Sequence, residues 1–232
     1  MVPVVTSRGG ASRRRRLLLL LLLVASAALC SAVTIRVFAF HSLDLANLVW
    51  NLFLAWIPFV VGLALYDAAR REASTTMLLA LGSVWLVFLP NAPYIATDLK
   101  YLGDLPSGTH WYDPILFGGA AGLGLVLGFL SLYLVQTVVA ERVGRVAGWT
   151  VAMGALVLSG LGVYLGRYER WNSWEVLTEP GKIFGGLASG LADPLAYSKP
   201  IALSAFFAVS CCVGYAVFYS LFGPHLRRLD ER

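Results

Sequence analysis

The sequence predicts an all-α, polytopic integral membrane protein of about six transmembrane helices, with both termini cytoplasmic. Three observations carry this reading. Six stretches are apolar enough, at about 20 residues each, to cross a hydrocarbon core of about 30 Å: roughly 17–35, 45–66, 77–95, 114–139, 147–166 and 200–222. Only 13% of the 232 residues are charged, about half the share of a soluble domain, and the mean hydropathy is +0.73. The cations also sort by side. With the amino terminus inside, the inner segments hold twelve: Arg8, Arg13, Arg14, Arg15, Arg16, Arg70, Arg71, Arg142, Arg145, Arg227, Arg228 and Arg232. The outer segments hold six: Arg36, Lys100, Arg167, Arg170, Lys182 and Lys199. That is the positive-inside pattern. The net charge of +5 therefore reports topology, and no nucleic-acid partner is expected.

The first element is "RRRRLLLLLLLVASAALC". Residues 1–16 read as a basic cytoplasmic leader and 17–35 as the first span, an uncleaved signal anchor. The same pattern of basic, apolar and small residues also describes a cleavable signal peptide. The uncleaved reading is preferred because the apolar run continues to Ile35, and because six spans return Arg227 and Arg228 to the inside. Residues 45–222 form the membrane domain with five further spans, and 223–232 a cytoplasmic tail.

The second span, "LANLVWNLFLAWIPFVVGLALY", carries Asn47 and Asn51 on one helical face. Intramembrane asparagines commonly bond a neighbouring helix. Pro58 predicts a kink. The third span ends in "WLVFLPNAPYIATDLKYL". Pro90 and Pro93 each remove an N–H, and they push Leu89 and Ala92 out of the helical region. The helix should loosen near Asn91, with its freed carbonyls facing protein or water. If helix resumes after Pro93, then Tyr94, Asp98 and Tyr101 share a face.

The fourth span, "PILFGGAAGLGLVLGFLSLYLVQ", pairs Gly118 with Gly122 and Gly124 with Gly128 at small-xxx-small spacing; the fifth carries Gly160, Gly162 and Gly166. In lipid such residues let backbones approach closely, so these are packing faces. After the fifth span, Arg167, Arg170, Trp171 and Trp174 fall at spacing 0, 3, 4 and 7, one helical stripe of cations and indoles. Guanidinium forks and indole faces can hold an anionic head group. The same stripe also describes an aromatic belt with snorkelling arginines. The segment 183–199 is apolar and Gly-rich; lying in the interface and re-entering the membrane are both open to it.

The candidate ligand-binding residues are therefore Asn91, Tyr94, Asp98, Arg167, Arg170, Trp171, Asn172 and Trp174, on the outer side. Asp98 and Asp113 are the candidate acids or bases, with no catalytic role assigned. Asp–Arg pairs can also simply fix the outer loops. Cys30, Cys211 and Cys212 lie in spans and read as small buried hydrophobes. The histidines, at 41, 110 and 225, have no zinc-like spacing, so no metal and no cofactor are expected.

Four strings, "NLFLAWIP", "FLPNAPYIATDL", "WYD" and "LGRYERWNSW", resemble the multi-pass membrane family named domain of unknown function 1361. The resemblance runs from about Asn47 to the sixth span. It implies a bacterial-type integral membrane protein with no assigned activity or catalytic residues. The family pattern often has a histidine where this chain has Tyr101, so an Asp98–His pair does not carry over. Three functions are expected as alternatives. The first is an extracytoplasmic site for an anionic lipid or lipid-linked substrate in the cell membrane. The others are a small-molecule transporter or channel, and a structural or partner-binding protein.

Overall fold

The computed structural model describes residues 8–41, 43, 45–102, 111–168, 181 and 198–227. These are helical throughout apart from turns, with no strand among them. The elements are α1 (Arg8–Phe40), α2 (Ala46–Arg70), α3 (Thr75–Phe88), α4 (Asn91–Tyr94), a 3-10 helix (Ile95–Leu102), α5 (Asp113–Arg142), α6 (Arg145–Tyr168) and α7 (Ser198–Arg227). Six helical stretches are long and apolar enough to cross a membrane, and the third is built from α3, α4 and the start of the 3-10 helix.

Local chemistry sets the ends. Ser74 caps α3 by accepting from the Met77 N–H at 3.3 Å. The turn before it passes through Glu72 at φ 56°, with the Ala73 N–H reaching back to the Ala68 carbonyl at 3.0 Å. Gly144, at φ +124°, turns α5 into α6. Pro114 sits in the first turn of α5, where its missing N–H costs nothing.

α2 and α5 form the centre of the bundle. More than half of the apolar window of α5 is buried (56%), against 17% for α1 and 22% for α7, which places α5 inside and those two on the rim. α3 packs on α2, α6 on α5, and α7 on α6. α1 lies against both central helices, with Trp56 Nε1 of α2 donating to Ser26 Oγ at 3.0 Å. Arg15 of α1 and Leu226 of α7 line one cavity, so both described chain ends lie at the same end of the bundle, here called the near end. The helix pairs are locked by polar contacts between apolar walls. Trp85 Nε1 donates to Ser131 Oγ at 3.1 Å, and the fully buried Tyr215 donates its hydroxyl to Gln136 Oε1. Such bonds matter here because lipid supplies no hydrophobic drive between helices.

The two-proline segment departs from expectation. Leu89 keeps helical dihedrals (φ −53°, ψ −41°), as does Pro90 (φ −57°, ψ −27°). The chain tightens instead of opening. The Ala92 N–H donates to the Leu89 carbonyl at 3.1 Å, an i→i−3 bond that satisfies the acceptor Pro93 cannot reach. Asn91 Nδ2 takes the Phe88 carbonyl at 3.0 Å. From Ile95 onward the chain is 3-10 rather than α-helix. The segment does face protein: Ala92 and Pro93 are buried.

The glycines explain how. A Cβ at Gly124 would stand 2.7 Å from the Ala92 carbonyl oxygen, and one at Gly128 3.0 Å from the Ala92 Cβ. On the other side, a Cβ at Gly162 would stand 2.7 Å from the ring of Pro90. α5 and α6 thus clasp the proline turn through bare backbone. Gly160 likewise admits Ala208 of α7. Gly118 and Gly122 meet nothing within 4 Å, so that first pair is not a packing face among the described residues. α2 runs through the buried Pro58 as one helix.

Candidate functional site

The clasped turn points the start of the 3-10 helix at the ends of α2 and α6, away from the near end. There Arg167, in the last turn of α6, meets Asp98. Arg167 Nη1 donates to Asp98 Oδ1 at 2.8 Å and to the Tyr94 hydroxyl at 3.3 Å. Arg167 Nη2 donates to the Thr97 carbonyl at 2.7 Å. The guanidinium carbon lies 5.4 Å from the centre of the Tyr94 ring, a cation–π distance. The second carboxylate oxygen of Asp98 accepts from Asn51 Nδ2 of α2 at 2.7 Å. The Thr97 hydroxyl bonds back to the Tyr94 carbonyl at 2.6 Å. Three elements therefore meet on one carboxylate: α2 with an amide, α6 with a guanidinium, and the 3-10 helix that carries it.

The pair is nearly dry. The Arg167 and Asp98 side chains are 7% and 6% exposed. Both ends of the charge are hydrogen-bonded, which is the condition under which a buried pair can persist.

A second pair occupies the same end. Arg36, near the end of α1, faces Asp113 in the first turn of α5. Nη2 and Nε approach the two carboxylate oxygens at 3.3 and 3.4 Å, and Asp113 is fully buried. The carboxylate also sits at the positive end of the α5 dipole. The neighbouring Tyr112 phenol is held above its ordinary range, first by burial and then by the Asp113 charge, with Arg36 pulling the other way.

Of the residues expected in the site, Tyr94, Asp98 and Arg167 come together. Asn91 sits on the same segment, but its amide is turned back to the Phe88 carbonyl. Asp113 is given its own partner in Arg36 instead of joining the Asp98 carboxylate. Arg170, Trp171, Asn172 and Trp174 lie outside the described residues, as does nearly all of 183–199. Asn51 was legible only as a polar residue in an apolar span; its place on Asp98 makes it part of the site, while Asn47 is exposed. Arg36 was missed as a site residue. Its signal was a single cation closing a long apolar run.

Among the described residues, no group of three or more His, Cys, Asp or Glu side chains gathers as a metal site. The three cysteines are free thiols. The geometry offers a pre-aligned cation, a carboxylate shared between two donors, and an aromatic ring at the boundary of a span.

No curated protein and no solved structure matches this chain. A family model does, over residues 50–213, which include Asn51, Tyr94, Asp98, Asp113 and Arg167. On that match the chain belongs to the family described as Protein of unknown function (DUF1361).

Proposed function

We propose that this membrane protein works at its far end, where the Arg167–Asp98 cluster takes an anionic lipid head group or lipid-linked substrate at the extracytoplasmic boundary of the cell membrane. The observation behind the proposal is the buried Arg167–Asp98 pair with Asn51 on its free oxygen. Charges at membrane depth are expensive and usually serve function. Arg167 is already held in a fork by Asp98 and the Thr97 carbonyl, so little ordering remains when an anion arrives. An anion competes with Asp98 for that fork. As the guanidinium turns to the ligand, Asp98 keeps the hydrogen bond that Asn51 Nδ2 donates to its second oxygen. The cluster then works as an anion site whose internal competitor is the Asp98 carboxylate. Arg170, Trp171, Asn172 and Trp174 come next in sequence and enter this reading by their chemistry alone.

Native mass spectrometry of the full chain in mild detergent tests it, with wild type beside Asp98→Asn and Arg167→Gln. Asp98→Asn keeps the shape and removes the internal competitor, so retention of the co-purified anionic species should rise several-fold. Arg167→Gln should lose it. If both variants keep the wild-type spectrum and differ only in melting temperature, the pair is a structural clamp and the proposal fails.

A further inference from the structure

A wide groove opens at the other end of the bundle, between α3 and α6, with α2 and α5 as its floor. Its volume is about 900 Å³, at the upper end of the roughly 300–1,000 Å³ usual for ligand pockets. It begins at Thr75, Arg142 and Val143 and ends at Leu86 and Leu158. From Thr75 to Leu86, at 1.5 Å per residue, is about 16 Å. That is about half of a 30 Å hydrocarbon core, or one leaflet. Above it the groove is closed where Pro90 meets Gly162 and Leu89 is buried.

The wall is apolar in effect. Of its hydroxyls, Ser83 and Thr150 are bonded to carbonyls of their own helices. Gly82 and Gly154 are in opposite walls, and a Cβ at Gly154 would meet nothing within 4 Å, so the groove is open there. The foot is cationic. Arg142 is exposed, and among the described residues its guanidinium makes one long contact, Nη2 to the Ala69 carbonyl at 3.5 Å. Exposed Arg71 and Arg145 stand in the neighbouring turns. Of the described acids at this end, Asp67 is bound to Arg15 at 2.6 Å and Glu141 to Arg70 at 3.0 Å, which leaves Glu72 against these three arginines.

We propose that this groove holds one anionic phospholipid of the leaflet on the near side, its acyl chains between α3 and α6 and its phosphate on Arg142. Shape and charge select the occupant: the slot is apolar, one leaflet deep, and ends on a cation with donors to spare. The site lies at the opposite end from the Arg167 cluster, and its fate is independent of that reading.

The test uses the full chain in mild detergent, incubated with equal concentrations of phosphatidylglycerol or phosphatidylcholine and counted by native mass spectrometry. The wild type should keep one phosphatidylglycerol per chain at collision energies that strip phosphatidylcholine. Arg142→Gln should lower phosphatidylglycerol retention about tenfold, the loss of a charge-assisted bond, and leave phosphatidylcholine unchanged. Gly154→Phe starts from a Cβ position with nothing within 4 Å, projects its ring into the slot, and should lower retention of both lipids at an unchanged melting temperature. Equal retention across the three proteins overturns the proposal, as does equal retention of the two lipids. A dimer that Gly154→Phe dissolves also overturns it, since a second copy would then fill the groove.

Discussion

The two ends of the bundle use the same chemistry, an arginine paired with a carboxylate, in opposite surroundings. At the far end the partners are almost sealed: 7% and 6% exposed for Arg167–Asp98, 8% and 0% for Arg36–Asp113. At the near end Arg15–Asp67 is 43% and 34% exposed, and Arg70–Glu141 30% and 49%. The shortest contact among these four pairs belongs to a half-exposed one, Arg15 Nη2 to Asp67 Oδ2 at 2.6 Å. Distance is therefore a poor guide to what these pairs contribute. Solvent decides it, because an exposed ion left alone is rehydrated and a buried one is not.

The largest expected effect comes from breaking the sealed pair on one side only. Arg167→Ala or Asp98→Ala strands a buried charge and should cost about 3–5 kcal/mol, read as a fall in melting temperature in detergent. Removing both charges, as Arg167→Leu with Asp98→Leu, should cost clearly less than the sum of the two single changes. Simple additivity would mean that the two side chains are not coupled, and the contrast between sealed and exposed pairs would collapse.

A middle-sized effect separates two glycine pairs with the same spacing. Gly124→Ala drives a methyl into the Ala92 carbonyl and should destabilise by about 1–3 kcal/mol. Gly118→Ala meets open space and should lie within about 0.5 kcal/mol of wild type, or gain slightly from helix propensity. Equal costs at the two positions would remove the clasp around the proline turn. The smallest effect belongs to the near end. Arg15→Ala should cost about 1 kcal/mol or less, and the difference should shrink as salt is raised from about 0.05 to about 0.5 M.

Much of this architecture was legible in the sequence. Hydropathy found all six spans, and each helix extends past the apolar stretch at one or both ends. The polar end at Asn91, Tyr94, Asp98 and Arg167 was legible too, because polar residues beside prolines in an apolar chain stand out. The conformation at the prolines was not. The steric rule that disfavours helix before proline was outweighed at Leu89 by the packing of the following residues, Pro90 to Ile95, against three glycines and by two replacement hydrogen bonds. Nor did spacing tell which glycines mattered, since Gly118–Gly122 and Gly124–Gly128 look alike along the chain and differ only in what faces them.

Alone, the sequence determined the class, the number of spans, and a cation-rich end set against an aromatic and carboxylate-bearing one. These are sums over neighbouring residues, and water and lipid read them locally. Only the tertiary structure decided the partners. Asp98 meets Arg167 across 69 residues and Asn51 across 47, and Asp113 meets Arg36 across 77. Those choices depend on which helices touch and at what height, and a helix carries that information on its surface only once its neighbour is in place.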